Sequence, residues 1–208
     1  MRNSLTAAPG RAQSLPVNLG QQALVCTFFA ALVAIFARIS IYTPLTPVPF
    51  TLQPMAIMLT GMCLGPWAGF FALVEYLVAG ALGAPVFASG AGGWLYLSTT
   101  PTLGYLLSYP FAAYVVGWLA ERAMPSPALA SERKLAWLRL FGAGLAGLAV
   151  IYLGGNLYLS AWLHKGPLQT LLLGAAWFIG LDTLKAALAA AVTATTPSGW
   201  FIWRNRVG

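Results

Sequence analysis

The sequence predicts an all-α integral membrane protein, a bundle of six transmembrane helices with both termini in the cytoplasm. Three observations lead there. Only 7% of the residues are charged and 59% are hydrophobic, whereas an ordinary soluble domain carries about 25% charged residues. A spanning helix needs about 20 mainly apolar residues, so 208 residues, less polar ends and one charged loop, hold about six spans and no separate soluble domain. Finally, Lys and Arg cluster at both ends and in the middle loop, which places these on the inner side of the membrane. The domain organisation is then a cytoplasmic tail over residues 1–20, one membrane domain over 21–197 and a second cytoplasmic tail over 198–208.

Each element has its own justification. Residues 1–20 carry Arg2, Arg11 and two prolines, without the apolar core of a signal peptide; a mobile cytoplasmic tail is expected. The first span runs from about Gln22 to Tyr42, with Ala30 and Ala34 one turn apart in a small-xxx-small arrangement that lets another helix approach closely. The following TPLTPVPFTLQP has four prolines in twelve residues, which rules out a regular helix and predicts an ordered, extended, uncharged loop. A second span from about Pro54 to Gly65 turns at Gly65-Pro66 into a third that ends near Gly83. The second is too short to cross alone, so its start is expected to reach back into the loop.

From Ala84 onward Gly90, Gly92 and Gly93 stand among small and aromatic residues, where glycine permits close approach of backbone to a ligand. Neither a phosphate-binding loop nor a dinucleotide fingerprint fits this stretch. The fourth span covers about Thr102 to Leu119. Glu121-Arg122, Pro125, Pro127, Glu132, Arg133, Lys134 and Arg139 then mark a solvated loop before a fifth span from about Leu140 to Leu163. His164 to Pro167 break it, and Leu168 to Leu173 suit only a short interfacial or re-entrant helix. The sixth span starts near Ala176 and stops at Thr195-Thr196-Pro197, after which Trp200, Trp203, Arg204 and Arg206 anchor the tail at the interface.

This layout puts Arg2, Arg11, Arg122, Arg133, Lys134, Arg139, Arg204 and Arg206 inside and only Arg38 and Lys165 outside, in keeping with the positive-inside rule. The net charge of +7 is therefore read as topology; it lacks the basic and aromatic interleaving of a nucleic-acid surface. Cys26 and Cys63 lie in apolar runs with no metal-ligand spacing, as small hydrophobes do. His164 sits at the outer boundary, where an exposed side chain is expected rather than a catalytic one, and no nucleophile is paired with it.

Between Lys165 and Arg204 the only charges are Asp182 and Lys185. A charge at the centre of a membrane helix costs about 2.5–3.5 kcal/mol on insertion scales, and at a spacing of i,i+3 the two share one helix face. Such a pair supplies either a polar substrate site or a structural ion pair between helices; the substrate site is the favoured reading. Arg38 and Glu75 form a second candidate, with pairing across the bundle and a ligand role left equal.

At this point the residues resemble a family, the biotin-specific substrate-binding (S) components, BioY, of energy-coupling factor (ECF) vitamin transporters. The likeness rests on Pro47-Val48-Pro49-Phe50-Thr51-Leu52-Gln53, on Gly80-Ala81-Leu82-Gly83-Ala84-Pro85-Val86-Phe87 with Gly90, Gly92 and Gly93, on Pro101-Thr102 with Gly104-Tyr105-Leu106, and on Asp182 with Lys185. The family's GPTGGYL motif appears as Thr100-Pro101-Thr102-Leu103-Gly104-Tyr105-Leu106. The proline and glycine usual just before the acidic residue appear as Trp177, Gly180 and Leu181. The resemblance implies six helices of S-component type and a vitamin pocket under the first, third and fifth loops on the outer face. It also implies an alanine motif on the first helix that docks a membrane coupling subunit, and two cytoplasmic ATPases that supply the energy.

Biotin itself suggests roles. Asp182 accepts from a ureido N–H, Lys185 donates to the ureido carbonyl or the carboxylate, Phe87, Trp94, Tyr96 and Tyr105 offer apolar walls, and Gly90, Gly92, Gly93 and Gln53 offer hydrogen bonds. The expected protein is a high-affinity biotin-capturing component of a bacterial cell membrane, with no catalytic activity, metal or cofactor of its own; ATP is used only by partner subunits. The competing readings are a self-sufficient secondary carrier, an S component for another vitamin, and an intramembrane enzyme built on Asp182, Lys185 and Glu75, which lacks a Ser, Cys or His placed with them.

Overall fold

The computed structural model describes residues 19–123 and 133–196. The expectations for residues 1–18, for Pro125, Pro127 and Glu132, and for the anchoring tail with Trp200, Trp203, Arg204 and Arg206 lie outside the described residues. Helix α1 (Leu19–Arg38) leads into strands β1 (Ser40–Thr43) and β2 (Thr46–Thr51), then α2 (Gln53–Leu64) and α3 (Pro66–Ala81). After a 3₁₀ turn at Ala88–Gly90 come α4 (Trp94–Thr99), α5 (Leu103–Ala123), α6 (Arg133–Leu163) and α7 (Pro167–Leu171). A π turn at Leu172–Ala176 joins α7 to α8 (Ile179–Thr195).

Among the described residues three helices, α1, α5 and α6, are long and apolar enough to cross a membrane, and a fourth span results if α7 with its π turn is joined to α8 across their 54° bend. Helices α2 and α3 are apolar but shorter. Large side chains such as Leu24, Phe28 and Ile35 on α1 and Phe111 on α5 stay exposed, as a lipid-facing surface requires. By contrast α2 is buried on nearly every side, because α1, α3, α5 and α8 all pack around it.

Glycine sets how closely these helices meet. A Cβ at Gly61 would lie 2.5 Å from the Ala113 carbonyl oxygen, and one at Gly117 would lie 2.6 Å from the Pro66 nitrogen, so backbone rests on backbone where α5 crosses the α2–α3 turn. Gly65 makes that turn possible with a φ of 79°, and Pro66 opens α3 at its first position. One core cluster gathers Ile57, Tyr76, Phe87, Tyr109 and Phe178; another gathers Met58, Met62, Val116, Leu140 and Ala189.

Several boundaries differ from expectation. The proline-rich stretch is extended, but it pairs as an antiparallel hairpin with Ser40 opposite Thr51 and Ile41 opposite Phe50; prolines at 47 and 49 are compatible because a two-stranded ribbon has free edges. Helix α2 begins at Gln53 and does not reach back into that loop. Helix α6 begins at Arg133, so Lys134 and Arg139 belong to a helix rather than a solvated loop. A short helix, α4, stands inside the glycine-rich segment. Helix α8 starts at Ile179, after the π turn, and so Asp182 falls in its first turn rather than deeper within it. Arg38 and Glu75 do not pair: Arg38 Nη2 donates to the Pro85 carbonyl at 2.8 Å, and Glu75 Oε1 accepts from the Thr27 hydroxyl at 2.6 Å. His164 is exposed in the turn after α6, with a φ of 53°.

Candidate binding site

The bend before α8 brings Asp182 and Lys185 into the bundle at 4% and 5% exposure. Lys185 Nζ donates to Asp182 Oδ1 at 2.5 Å and to the Thr51 carbonyl at 2.5 Å, and it sits 3.8 Å from the centroid of the Phe50 ring. The hairpin therefore delivers both a carbonyl acceptor and a π face to the ammonium. Asp182 Oδ2 accepts from the Tyr152 hydroxyl at 2.5 Å. Neither charge is left alone, as burial demands. An ammonium has three N–H donors, and the two contacts above use two of them.

A second relay fixes the hairpin side. The Thr51 hydroxyl donates to Gln53 Oε1 at 3.2 Å, Gln53 Nε2 donates to the Tyr76 hydroxyl at 2.7 Å, and that hydroxyl donates to the Val86 carbonyl at 3.1 Å. Strand β2, α2, α3 and the glycine-rich loop are thus held by one chain of hydrogen bonds. Opposite them, the Tyr105 hydroxyl donates to the Gly174 carbonyl at 3.0 Å and pins the π turn.

These groups enclose a cavity of about 50 Å³ with aromatic walls from Phe50, Tyr96, Tyr109 and Phe178. Of the residues singled out in the sequence, Asp182, Lys185, Gln53, Tyr105 and Tyr96 line it. Phe87 does not; it is fully buried behind the wall, stacked on Tyr96 at 5.7 Å and edge-on to Tyr76 at 5.6 Å. Trp94 is 73% exposed. Gly90, Gly92 and Gly93 also stand outside the lining, where Ala88 represents their loop. Gly90 packs beneath the Arg38 guanidinium with a φ of 80°, Gly92 abuts the Ala84 backbone, and Gly93 precedes α4 with a φ of 91°. All three sit in the loop that runs from α3 to α4.

Sequence reasoning missed Tyr152, Tyr109, Phe178 and the Thr51 carbonyl. No spacing relates Tyr152 to Asp182 along the chain; only the packing of α6 on α8 does. A wall aromatic has the same composition signature as an interfacial anchor.

Among the described residues no cluster of three or more His, Cys, Asp or Glu is placed to hold a metal. Ser108, in the turn of α5 after Tyr105, has its hydroxyl committed to the Tyr105 carbonyl at 2.6 Å. A charged donor–acceptor pair in an aromatic cavity recognises a ligand by hydrogen bonds without an activated nucleophile. Fold and site together define a membrane-embedded ligand-binding component of the S-component fold. Its likeness in structure is to the crystal structure, at 2.1 Å, of the S-component for biotin from an ECF-type ABC transporter, with a TM-score of 0.73 over 84% of this chain and 89% of that one at 24% identity. The BioY family model matches residues 10–200. The biotin transporter BioY of Thermotoga maritima is 36% identical over 172 residues, 83% of this chain and 93% of its own length. The probable biotin transporter BioY of Pyrococcus horikoshii is 36% identical over 161 residues, 77% of this chain and 86% of its own. The chain belongs to the BioY family.

Proposed function

We propose that this protein is the biotin-capturing membrane component of an ATP-driven uptake transporter, binding biotin at the outer face and passing it inward. The observation that carries the reading is the buried Asp182–Lys185 pair inside an aromatic-walled cavity. Biotin's ureido ring offers two N–H donors and a carbonyl, which match a carboxylate and an ammonium, and its sulfur ring matches the apolar walls. A cavity of about 50 Å³ has room for about four waters. Biotin is larger, so Phe50, Tyr96 and Phe178 must move apart to admit it, and the hairpin and glycine-rich loop that carry or support them act as covers.

Isothermal calorimetry in detergent is expected to give a one-to-one biotin complex without ATP or metal. Heat with riboflavin or thiamine but none with biotin would reject the substrate.

The energy comes from a membrane coupling subunit and two cytoplasmic ATPases. Six helices cross the bacterial cell membrane with both termini inside, in keeping with Arg122, Lys134 and Arg139 at one end of α5 and α6 and with Arg38 and Lys165 at the other ends of α1 and α6. The partner face includes Ala34, which is half-buried and packs on the edge of the protein's own core, whereas Ala30, at 7% exposure, lies within that core. Ala34→Trp is therefore expected to block capture of the coupling subunits while biotin binding persists, and Ala30→Trp to lower stability and binding together. Equal loss of both activities in Ala34→Trp would place that residue in the bundle alone. Biotin uptake by liposomes holding only this protein would favour a self-sufficient carrier.

A further inference from the structure

Helix α5 leaves the cavity at Tyr105 and reaches Arg122 seventeen residues later, about 25 Å away along its axis. There, between the end of α5 and the start of α6, lies an open groove of about 360 Å³ lined by Leu119, Arg122, Ala123, Arg139, Gly142 and Ala143. We infer that this groove is a binding site for the phosphate headgroup of an anionic phospholipid.

Both guanidiniums are available to an anion. Arg122 is held in place by its own helix: Nη1 donates to the Trp118 carbonyl at 2.9 Å, and Cζ sits 3.8 Å from the centroid of the Trp118 ring. That arrangement uses one of five N–H donors. Arg139 is exposed, and among the described residues no hydrogen bond or ion pair engages it. The neighbouring acid, Glu121, does not line the groove. Two arginines in one concavity, with no carboxylate among the described residues that line it, suit the planar, bidentate recognition of phosphate oxygens.

Depth selects the source of that phosphate. Helix α6 has 31 residues, about 46 Å of length against a hydrocarbon core about 30 Å thick. Arg139 lies 24 residues before its end at Leu163, about 36 Å along the helix, which is headgroup level when Leu163 is at the opposite boundary. Trp118, 42% exposed, stands one turn from Arg122 where interfacial aromatics belong. The rest of the lining, Leu119, Ala123, Gly142 and Ala143, is small or apolar and offers an acyl chain a surface below the headgroup. Basic pockets between membrane helices recognise anionic headgroups in this way.

The test uses the full-length protein in detergent, with native mass spectrometry after addition of phosphatidylglycerol and phosphatidylcholine at equal concentration. Phosphatidylglycerol adducts are expected to dominate, by about fivefold per arginine, and millimolar sn-glycerol-3-phosphate is expected not to displace them. Arg122→Gln/Arg139→Gln is expected to erase the preference while the melting temperature and biotin binding stay at wild-type values, since neither residue lines the cavity. Equal retention of the two lipids by the wild type, or an undiminished preference in the double variant, would overturn the site. Displacement by sn-glycerol-3-phosphate would assign it to a soluble phosphate, and lost coupling-subunit capture without any lipid preference would assign it to an acidic protein segment. Either result overturns the lipid assignment.

Discussion

Asp182→Asn and Lys185→Met are each expected to weaken biotin binding by on the order of a hundred- to a thousandfold. Removing one member of a buried pair strands the other, at a cost of about 3–5 kcal/mol, and each tenfold in affinity is about 1.4 kcal/mol. In Lys185→Met the carboxylate keeps only the Tyr152 hydroxyl, and the Thr51 carbonyl loses its donor. In Asp182→Asn the shape persists and the amide oxygen can still accept from the ammonium, but the opposite charge is gone and the amide NH2 cannot accept from the Tyr152 hydroxyl as Oδ2 does. Part of each penalty falls on the fold, so calorimetry is paired with a detergent melting curve to separate the two. Tyr152→Phe is the graded comparison: it removes one hydrogen bond to a charged group, about 1.5–3 kcal/mol, and leaves the ion pair whole. The exchange Asp182→Lys/Lys185→Asp keeps both charges on the same helix face yet moves each away from its cross-helix partner, and it is expected to fail as well. Wild-type affinity in Asp182→Asn or Lys185→Met would remove the pair from the site.

Gly117→Leu is expected to prevent assembly of the bundle. The Cβ alone would stand 2.6 Å from the Pro66 nitrogen and 2.8 Å from the Gly65 carbonyl oxygen, and both neighbours are backbone at a turn whose φ is already committed. Overpacking a core usually costs about 1–3 kcal/mol because side chains shift. Here no side chain is available to shift, so α5 has to separate from α2 and α3 along their length. Gly180→Ala is the control, since an added Cβ there meets nothing within 4 Å. The readouts are the monodisperse fraction in detergent and the melting temperature. A Gly117→Leu protein that melts with the wild type would show that this crossing does not set the helix spacing.

The membrane class, the positions of most helices and the presence of a polar pair were all legible along the chain. These follow from composition and local spacing: apolar runs of spanning length, Gly65-Pro66 as a break between helices, and two opposite charges at i,i+3 with no other charge for a span on either side. The same logic marked Gln53 and Tyr105 through their motifs, and both line the cavity. It also marked Phe87 and the three loop glycines, which stand outside the lining, because a motif marks residues that shape a loop as strongly as residues that face a ligand. It is the packing of distant helices that sets Phe87 behind Tyr96, gives Arg38 and Glu75 separate partners, and turns Ala30 inward. That packing is not written in any one segment. It also decided what satisfies the buried charges: Tyr152 from α6 and the Thr51 carbonyl from the hairpin, residues that no period along the chain relates to α8. A charge in an apolar run is visible in one dimension, since its cost of burial does not depend on which partner offsets it. The partner's identity depends on how distant helices pack, and here glycine contacts at Gly61 and Gly117, together with the 54° bend before α8, set that packing.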